Sequence, residues 1–219
     1  MLQNATITFL ETILVNNNKT WFDKYNEEYL QAKEDFEIFI TGILEGLATN
    51  EPLFKEQKAK DCIYRIYRDV RFSKDKTPYK HHFGAFFSKG GRKFPGAGYY
   101  LHIEPGGKSF AGGGLWAPEA ALLKKVRQEI DYNFEEFTKI TKDKKFRKLF
   151  KDINGERLKK IPQGYEENNP AIEYLKMKSY TVGNNLQDTD LTDKNFTKKV
   201  LDSFTTLRPF IDFLNKGLD

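Results

Sequence analysis

The chain has 219 residues, of which 39% are hydrophobic and 15% aromatic, with 19 Phe and 11 Tyr, so it carries enough apolar surface to bury a substantial core. Charged residues reach 31% with both signs mixed, which argues against wholesale disorder; the net charge of +5 is a mild bias toward anionic partners, far short of a nucleic-acid coat. One cysteine, Cys62, excludes an internal disulfide, and a structural zinc site asks for several Cys or His ligands.

Met1 to Val15 lacks a basic start and a long apolar run, so it does not read as a signal peptide, and no stretch approaches the ~20 apolar residues of a membrane span. A cytoplasmic location and no membrane partner are the expectation. In that setting the Asn-x-Thr triplets at Asn4, Asn18 and Asn195 carry no glycosylation meaning.

In chain order, Phe9, Ile13 and Leu14 predict a short first helix ended by Asn16, Asn17 and Asn18, since Asn tolerates left-handed backbone angles. Phe22, Tyr25, Tyr29, Ala32, Phe36, Ile40, Ile43 and Leu47 recur at steps of three and four. They predict one long helix from about Thr20 to Ala48. The middle of the chain turns to β-formers. Strands are expected over Cys62–Arg68, His81–Ser88 and Tyr99–Glu104, and Pro105-Gly106-Gly107 turns the chain into a returning strand over Lys108–Gly113.

Helices resume after Trp116, with Pro118 at a first helical position, then near Phe134–Ile140, Lys144–Phe150 and Pro170–Met177. A further strand is expected over Ser179–Asn184. A last helix is expected over about Asp193–Lys216, with Arg208-Pro209 as a kink. Helices, then strands, then helices give an α+β fold: a central, mainly antiparallel sheet packed by N- and C-terminal helices. No Gly-, Ser- or Pro-rich linker divides the chain, so one domain over residues 1–219 is expected.

Charge is concentrated in Tyr64–His82, YRIYRDVRFSKDKTPYKHH, which carries +4 of the chain's net +5. Arg65, Arg68, Arg71, Lys76 and Lys80 are candidate contacts for phosphate or carboxylate. Arginine offers a planar fork and lysine a point charge. The competing readings are a solvated basic face, or a set of Arg heads braced by Asp69 and Asp75.

On the third predicted strand, Tyr100, His102 and Glu104 share the polar face and Tyr99, Leu101 and Ile103 the core face. His102 and Glu104 are the candidate acid–base pair. A hydrogen-bonded surface ladder is the alternative. Gly112-Gly113-Gly114 before Leu115-Trp116 permits either a close backbone approach to a ligand or a tight crossing with Trp116 as a plug. Trp116 is accordingly a candidate wall of the site. Asn18 and Trp21, with Asn17 and Lys19, sit at the first helix junction and are candidates to close or brace it.

Several look-alikes fail. Gly106-Gly107-Lys108-Ser109 lacks the glycine that a P-loop needs at the position held by His102, and Gly96-Ala97-Gly98 lacks a dinucleotide-binding glycine where Leu101 stands. His81 and His82, adjacent on a predicted strand, would point to opposite faces and make a poor metal pair. No metal or other cofactor is expected.

Three stretches carry a resemblance: Asn17-Asn18-Lys19-Thr20-Trp21-Phe22, the run from Arg65 through Lys80 (RIYRDVRFSKDKTPYK), and Gly113-Gly114-Leu115-Trp116-Ala117-Pro118. With Pro162-Gln163-Gly164-Tyr165, Asn169-Pro170-Ala171 and Leu175-Lys176, they make the chain similar to the family called domain of unknown function 2461, over nearly its whole length. The resemblance implies a soluble, full-length, bacterial-type domain and brings no activity, cofactor or catalytic residue with it. The functional expectation is therefore a site that binds or processes a small anionic ligand, bearing phosphate or carboxylate, in a basic pocket of the central sheet. Its alternative is a module that docks an acidic protein or a nucleic-acid backbone, the nucleic acid being the less favoured partner. Nothing in the sequence decides between an enzyme and a binding protein.

Overall fold

The computed structural model describes residues 1–218. The elements in order are α1 (Asn4–Val15), α2 (Lys19–Lys24), α3 (Asn26–Ala48), α4 (Ala59–Cys62), β1 (Phe83–Phe87), β2 (Gly98–Ile103), β3 (Phe110–Leu115), α5 (Ala120–Tyr132), α6 (Phe134–Thr141), α7 (Lys144–Phe150), α8 (Ile172–Leu175), β4 (Tyr180–Asn185), α9 (Asp188–Leu191) and α10 (Phe196–Asn215). The four strands form one antiparallel sheet in the order β1-β2-β3-β4, and helices pack on it, so the α+β expectation holds. Among the described residues no helix is long and apolar enough to cross a membrane.

The chain divides into two compact units, each assembled from three separate segments. Unit 1 takes residues 1–92, 101–111 and 185–202; unit 2 takes residues 93–100, 112–184 and 203 onward. Strands β2 and β3 each pass through both.

In unit 1, apolar steps of three and four put Phe9, Leu10 and Ile13 of α1 and Phe36, Ile40 and Ile43 of α3 into a common core. Phe83 of β1 stacks on Phe36 with ring centroids 5.0 Å apart, and Phe39 stacks on Phe196 at 4.9 Å. The buried carboxylate of Asp35 accepts from the Gln3 N–H at 2.9 Å and from the Thr6 hydroxyl at 2.5 Å, satisfying donors at the start of α1. The predicted single helix over Thr20–Ala48 is broken at Tyr25, which leaves helical geometry and stacks its ring on Trp21 at 4.8 Å.

The predicted strand over Cys62–Arg68 is not one. Cys62 closes the short α4, and the segment after it pairs through two isolated bridges, Ile63 with Ala85 and Tyr67 with Tyr79. The predicted His81–Ser88 strand starts only at Phe83, leaving His81 and His82 in a bend.

Unit 2 is held by rings: Tyr99 stacks on Phe204 at 4.9 Å, and Phe137, Phe146, Phe210 and Phe213 form a cluster. The side-chain amide of Asn215 donates to the Ala97 carbonyl at 3.0 Å and accepts the Ala97 N–H at 2.8 Å. Helix α10 runs through Pro209, which has no N–H to give.

Candidate functional site

All three histidines of the chain meet one carboxylate, Glu104, within unit 1. Alternation along β2 buries Leu101 and Ile103 and turns His102 to the polar face, and Glu104 follows the strand on that same face. The backbone of Glu104 is fixed by Ser109. The Ser109 hydroxyl accepts the Glu104 N–H at 2.9 Å and donates to the Glu104 carbonyl at 3.0 Å. The hairpin turn between them is clamped as well: the N–H groups of Gly106 and Gly107 donate to the Asp188 carboxylate at the start of α9, at 3.0 Å each. Gly106 and Gly107 have φ of 90° and 73°, the left-handed region that favours glycine.

His102 Nε2 lies 2.9 Å from Glu104 Oε2, His81 Nδ1 lies 3.4 Å from Oε1, and His82 Nδ1 lies 3.9 Å from Oε2. The His102 ring is sandwiched between His82, with centroids 4.3 Å apart, and Phe110, stacked at 5.1 Å. Lys108 reaches back across the turn and donates to Glu104 Oε1 at 2.9 Å; the carboxylate side chain is only 11% exposed, the lysine 59%. The expectation that neighbouring histidines diverge does not hold here. Strand alternation does not apply to a bend, and the two rings stand nearly perpendicular, at 84°, with both Nδ1 atoms turned to Glu104.

Burial pushes His82 down to about 4, helped by the proximity of His102 and Lys80 and opposed by Glu104, so its imidazole is neutral at pH 7. Burial also lowers His102, against the opposing pull of its bond to Glu104. Burial pushes Glu104 up, but the hydrogen bonds from Lys108 and His102 and the proximity of His81 more than offset it, leaving the carboxyl below its usual value.

The basic segment divides into two groups. Arg68 is taken up by the loop it closes: its Nη1 donates to Asp75 Oδ2 at 2.5 Å, to the Thr77 carbonyl at 3.0 Å and to the Thr77 hydroxyl. Arg71 makes a two-point contact with Asp69, through Nε at 3.0 Å and Nη2 at 2.7 Å. Lys76 donates to the Val70 carbonyl at 2.9 Å. These three brace the loop and do not converge on a shared hollow.

Lys80 and Arg65 differ. Among the described residues neither lies within ion-pair distance of a carboxylate. The half-buried Lys80 ammonium sits over the Tyr64 ring at 5.4 Å. Its pKa is lowered, first by burial and then by the positive charge of Arg65.

The helix-junction residues act as braces. Asn18 caps α2 by accepting the Trp21 N–H at 2.9 Å, and Trp21 packs on Tyr25 and Phe9. Asn17 grips the backbone of Tyr79 at two points, donating to its carbonyl at 2.9 Å and accepting its N–H at 3.1 Å, while Phe22 stacks on the Tyr79 ring at 4.0 Å. Tyr79 immediately precedes Lys80, His81 and His82, so Asn17 and Phe22 fix the root of the cluster.

Trp116 belongs to unit 2 and is 78% exposed, so it is not a buried plug. A cleft of about 660 Å³ lies in unit 2, where Phe146, Arg147, Lys151, Arg157 and Tyr174 are among its lining residues. None of the sequence-predicted site residues lines it.

Sequence reasoning weighs Lys108 and Ser109 only as a failed P-loop, gives Asp188 no role, and discards the His81–His82 pair. The available signal was the histidine census: three in the whole chain, two adjacent and the third two residues before a glutamate.

No curated protein and no solved structure matches the chain. A family model described as a conserved hypothetical protein, DUF2461, matches residues 5–213, nearly the full length and including every residue of the cluster. The chain is a member of the DUF2461 family.

Proposed function

We propose that unit 1 binds a small anionic ligand, bearing phosphate or carboxylate, between Lys80 and Arg65 at the edge of the histidine cluster. The observation that carries this reading is the half-buried Lys80 ammonium. It has no carboxylate partner and sits close enough to Arg65 for the two charges to oppose one another. Burying an unpaired cation beside a second one costs free energy that an incoming anion would recover. Arg65 supplies a planar fork and Lys80 a point charge, the combination suited to phosphate or carboxylate. The imidazoles of His81 and His82 alongside are polar and close at hand. Arg68, Arg71 and Lys76 are left out of the contact set, because their heads are already committed within the loop.

The test is thermal unfolding of chelator-treated protein with and without inorganic phosphate, and with citrate as the carboxylate probe. Ligand at a hundredfold over its Kd stabilises by ~2.7 kcal/mol, which for a chain of this size raises Tm by roughly 5–10 °C. The Lys80→Ala and Arg65→Ala variants should lose that rise, and Arg71→Ala should keep it. Equal stabilisation of all three variants would remove Lys80 and Arg65 from the site.

One observation favours a second reading. Phe72, at the tip of the basic loop between Arg71 and Lys74, is 94% exposed. An exposed ring among cations suits contact with an acidic macromolecular surface. Such binding would weaken steeply with salt and would fall in Phe72→Ala, whereas a small-anion site would be indifferent to that change.

A further inference from the structure

We propose that His81, His82 and Glu104 form a site for a divalent first-row transition metal, with His102 holding the carboxylate in place and Lys108 standing where the metal's charge would act. One ligand atom from each of the three residues lies within 4.8 Å of the others. Donors around a tetrahedral ion at ~2.0–2.2 Å stand roughly 3.3–3.6 Å apart, so a gap as wide as 4.8 Å has to close by a little over an ångström, within the reach of side-chain rotation.

A second observation points the same way. The Nδ1 atoms of His81 and His82 are buried and make no hydrogen bond, although both face the Glu104 carboxylate. Buried imidazole nitrogens are ordinarily satisfied, and a pair left over beside a carboxylate is the donor arrangement that a metal completes.

The chemistry of the set narrows the ion. Two imidazole nitrogens and one carboxylate, with no thiolate, suit Zn²⁺, Co²⁺ or Fe²⁺ over the all-oxygen preferences of Ca²⁺ and Mg²⁺. Cys62 is buried and its thiol is pushed up to about 11, so it does not compete as a ligand. The support around Glu104 is what a metal carboxylate needs: His102 Nε2 at 2.9 Å on one oxygen, and the backbone pinned by Ser109. Three protein ligands leave coordination positions open, to which a small anion can bind.

Lys108 makes the proposal specific. Its ammonium sits 2.9 Å from Glu104 Oε1, the oxygen that also faces His81, and its side chain is largely exposed. It neutralises the carboxylate without being locked in place, so an entering dication displaces it into solvent. Removing its charge should therefore tighten metal binding, whereas removing a ligand weakens it.

The experiment uses the untagged, full-length chain after chelator treatment, titrated with Zn²⁺ by calorimetry and with Co²⁺ by visible absorption. One ion per chain is expected, with a Kd tighter than about 10 μM and a d–d band from Co²⁺. His82→Ala and Glu104→Gln should each weaken Zn²⁺ binding at least about tenfold. Lys108→Met should tighten it, and Arg71→Ala should leave it unchanged. With only three histidines present, the imidazole ¹⁵N spectrum of the wild-type chain reads the site directly. Zn²⁺ should move the His81 and His82 Nδ1 resonances, an outcome that does not depend on any variant folding.

No one-to-one binding, binding with all three imidazoles unmoved, or equal affinity in folded His82→Ala and Glu104→Gln would each overturn the proposal. The metal inference rests on the cluster and not on the anion reading. Lys80→Ala should abolish phosphate stabilisation and keep Zn²⁺ binding, so either proposal can fail without the other.

Discussion

Asn17 shows how a residue outside the cluster sets its geometry. Its amide gives and takes one hydrogen bond with the backbone of Tyr79, the residue from which Lys80, His81 and His82 continue. Truncation leaves a partly buried N–H and a C=O without partners, each a loss of about 1–3 kcal/mol. Asn17→Ala should therefore lower stability by roughly 2 kcal/mol, read as a reduced urea midpoint at unchanged slope. The cluster should loosen too, visible as broadened His81 and His82 imidazole signals. Asn17→Asp keeps the acceptor and loses the donor, so it should fall between. Wild-type stability in Asn17→Ala would show that the clamp carries no weight.

At the same scale, His102 and Glu104 were legible because strand alternation fixes which face a residue takes. His81 and His82 were not, because a bend has no periodicity from which to read a direction. The basic residues were legible as a charge excess and opaque as a site. Whether an arginine finds its aspartate two residues away, as Arg71 finds Asp69, is settled by loop closure and not by composition.

Among the elements, long apolar periodicities translated well into helices. The helix predicted over Lys144–Phe150 is α7, and the hairpin around Pro105-Gly106-Gly107 is β2 and β3. The failures lie where a local pattern meets a tertiary demand. Tyr25 keeps the helical spacing yet breaks the helix to stack on Trp21, and the alternating run after Cys62 reaches its neighbours only through single bridges.

In sequence the three glycines of β3 permit a close approach to a ligand or a crossing plugged by Trp116; the structure shows instead a close approach of β4, with Trp116 exposed. A side chain at Gly112 would stand 2.0 Å from the Val182 carbonyl, and one at Gly114 would stand 2.0 Å from the Tyr180 carbonyl, so β4 lies where Cβ atoms would be. Gly114 also has φ of 125°. Gly114→Ala should cost at least about 2 kcal/mol, from backbone strain and forced separation of two strands. The readout is thermal unfolding; a Tm within a degree of wild type would refute the close-approach account.

For the whole molecule, the two units do not correspond to two stretches of sequence, which is why composition showed no boundary. Unit 1 draws on residues 185–202 to finish its core: Phe196 stacks on Phe39, and the Leu2 N–H donates to the Leu191 carbonyl at 2.9 Å. A fragment of residues 1–111 contains every cluster residue but lacks these partners. It should show weak near-UV circular dichroism and no cooperative melt, because the apolar faces of α1 and α3 remain partly uncovered. A fragment that melted cooperatively would mean that the third segment is dispensable.

The clamp from Asp188 onto Gly106 and Gly107 reaches back 82 and 81 residues. A ribosome therefore delivers the imidazoles and the glutamate well before the carboxylate that seats their hairpin tip. Prematurely terminated chains would carry His102 and Glu104 beside an untethered tip, with His81 and His82 in the bend before β1, and hold stray cations weakly. Only translation past Asp188 converts that loose handful of donors into a fixed receptor.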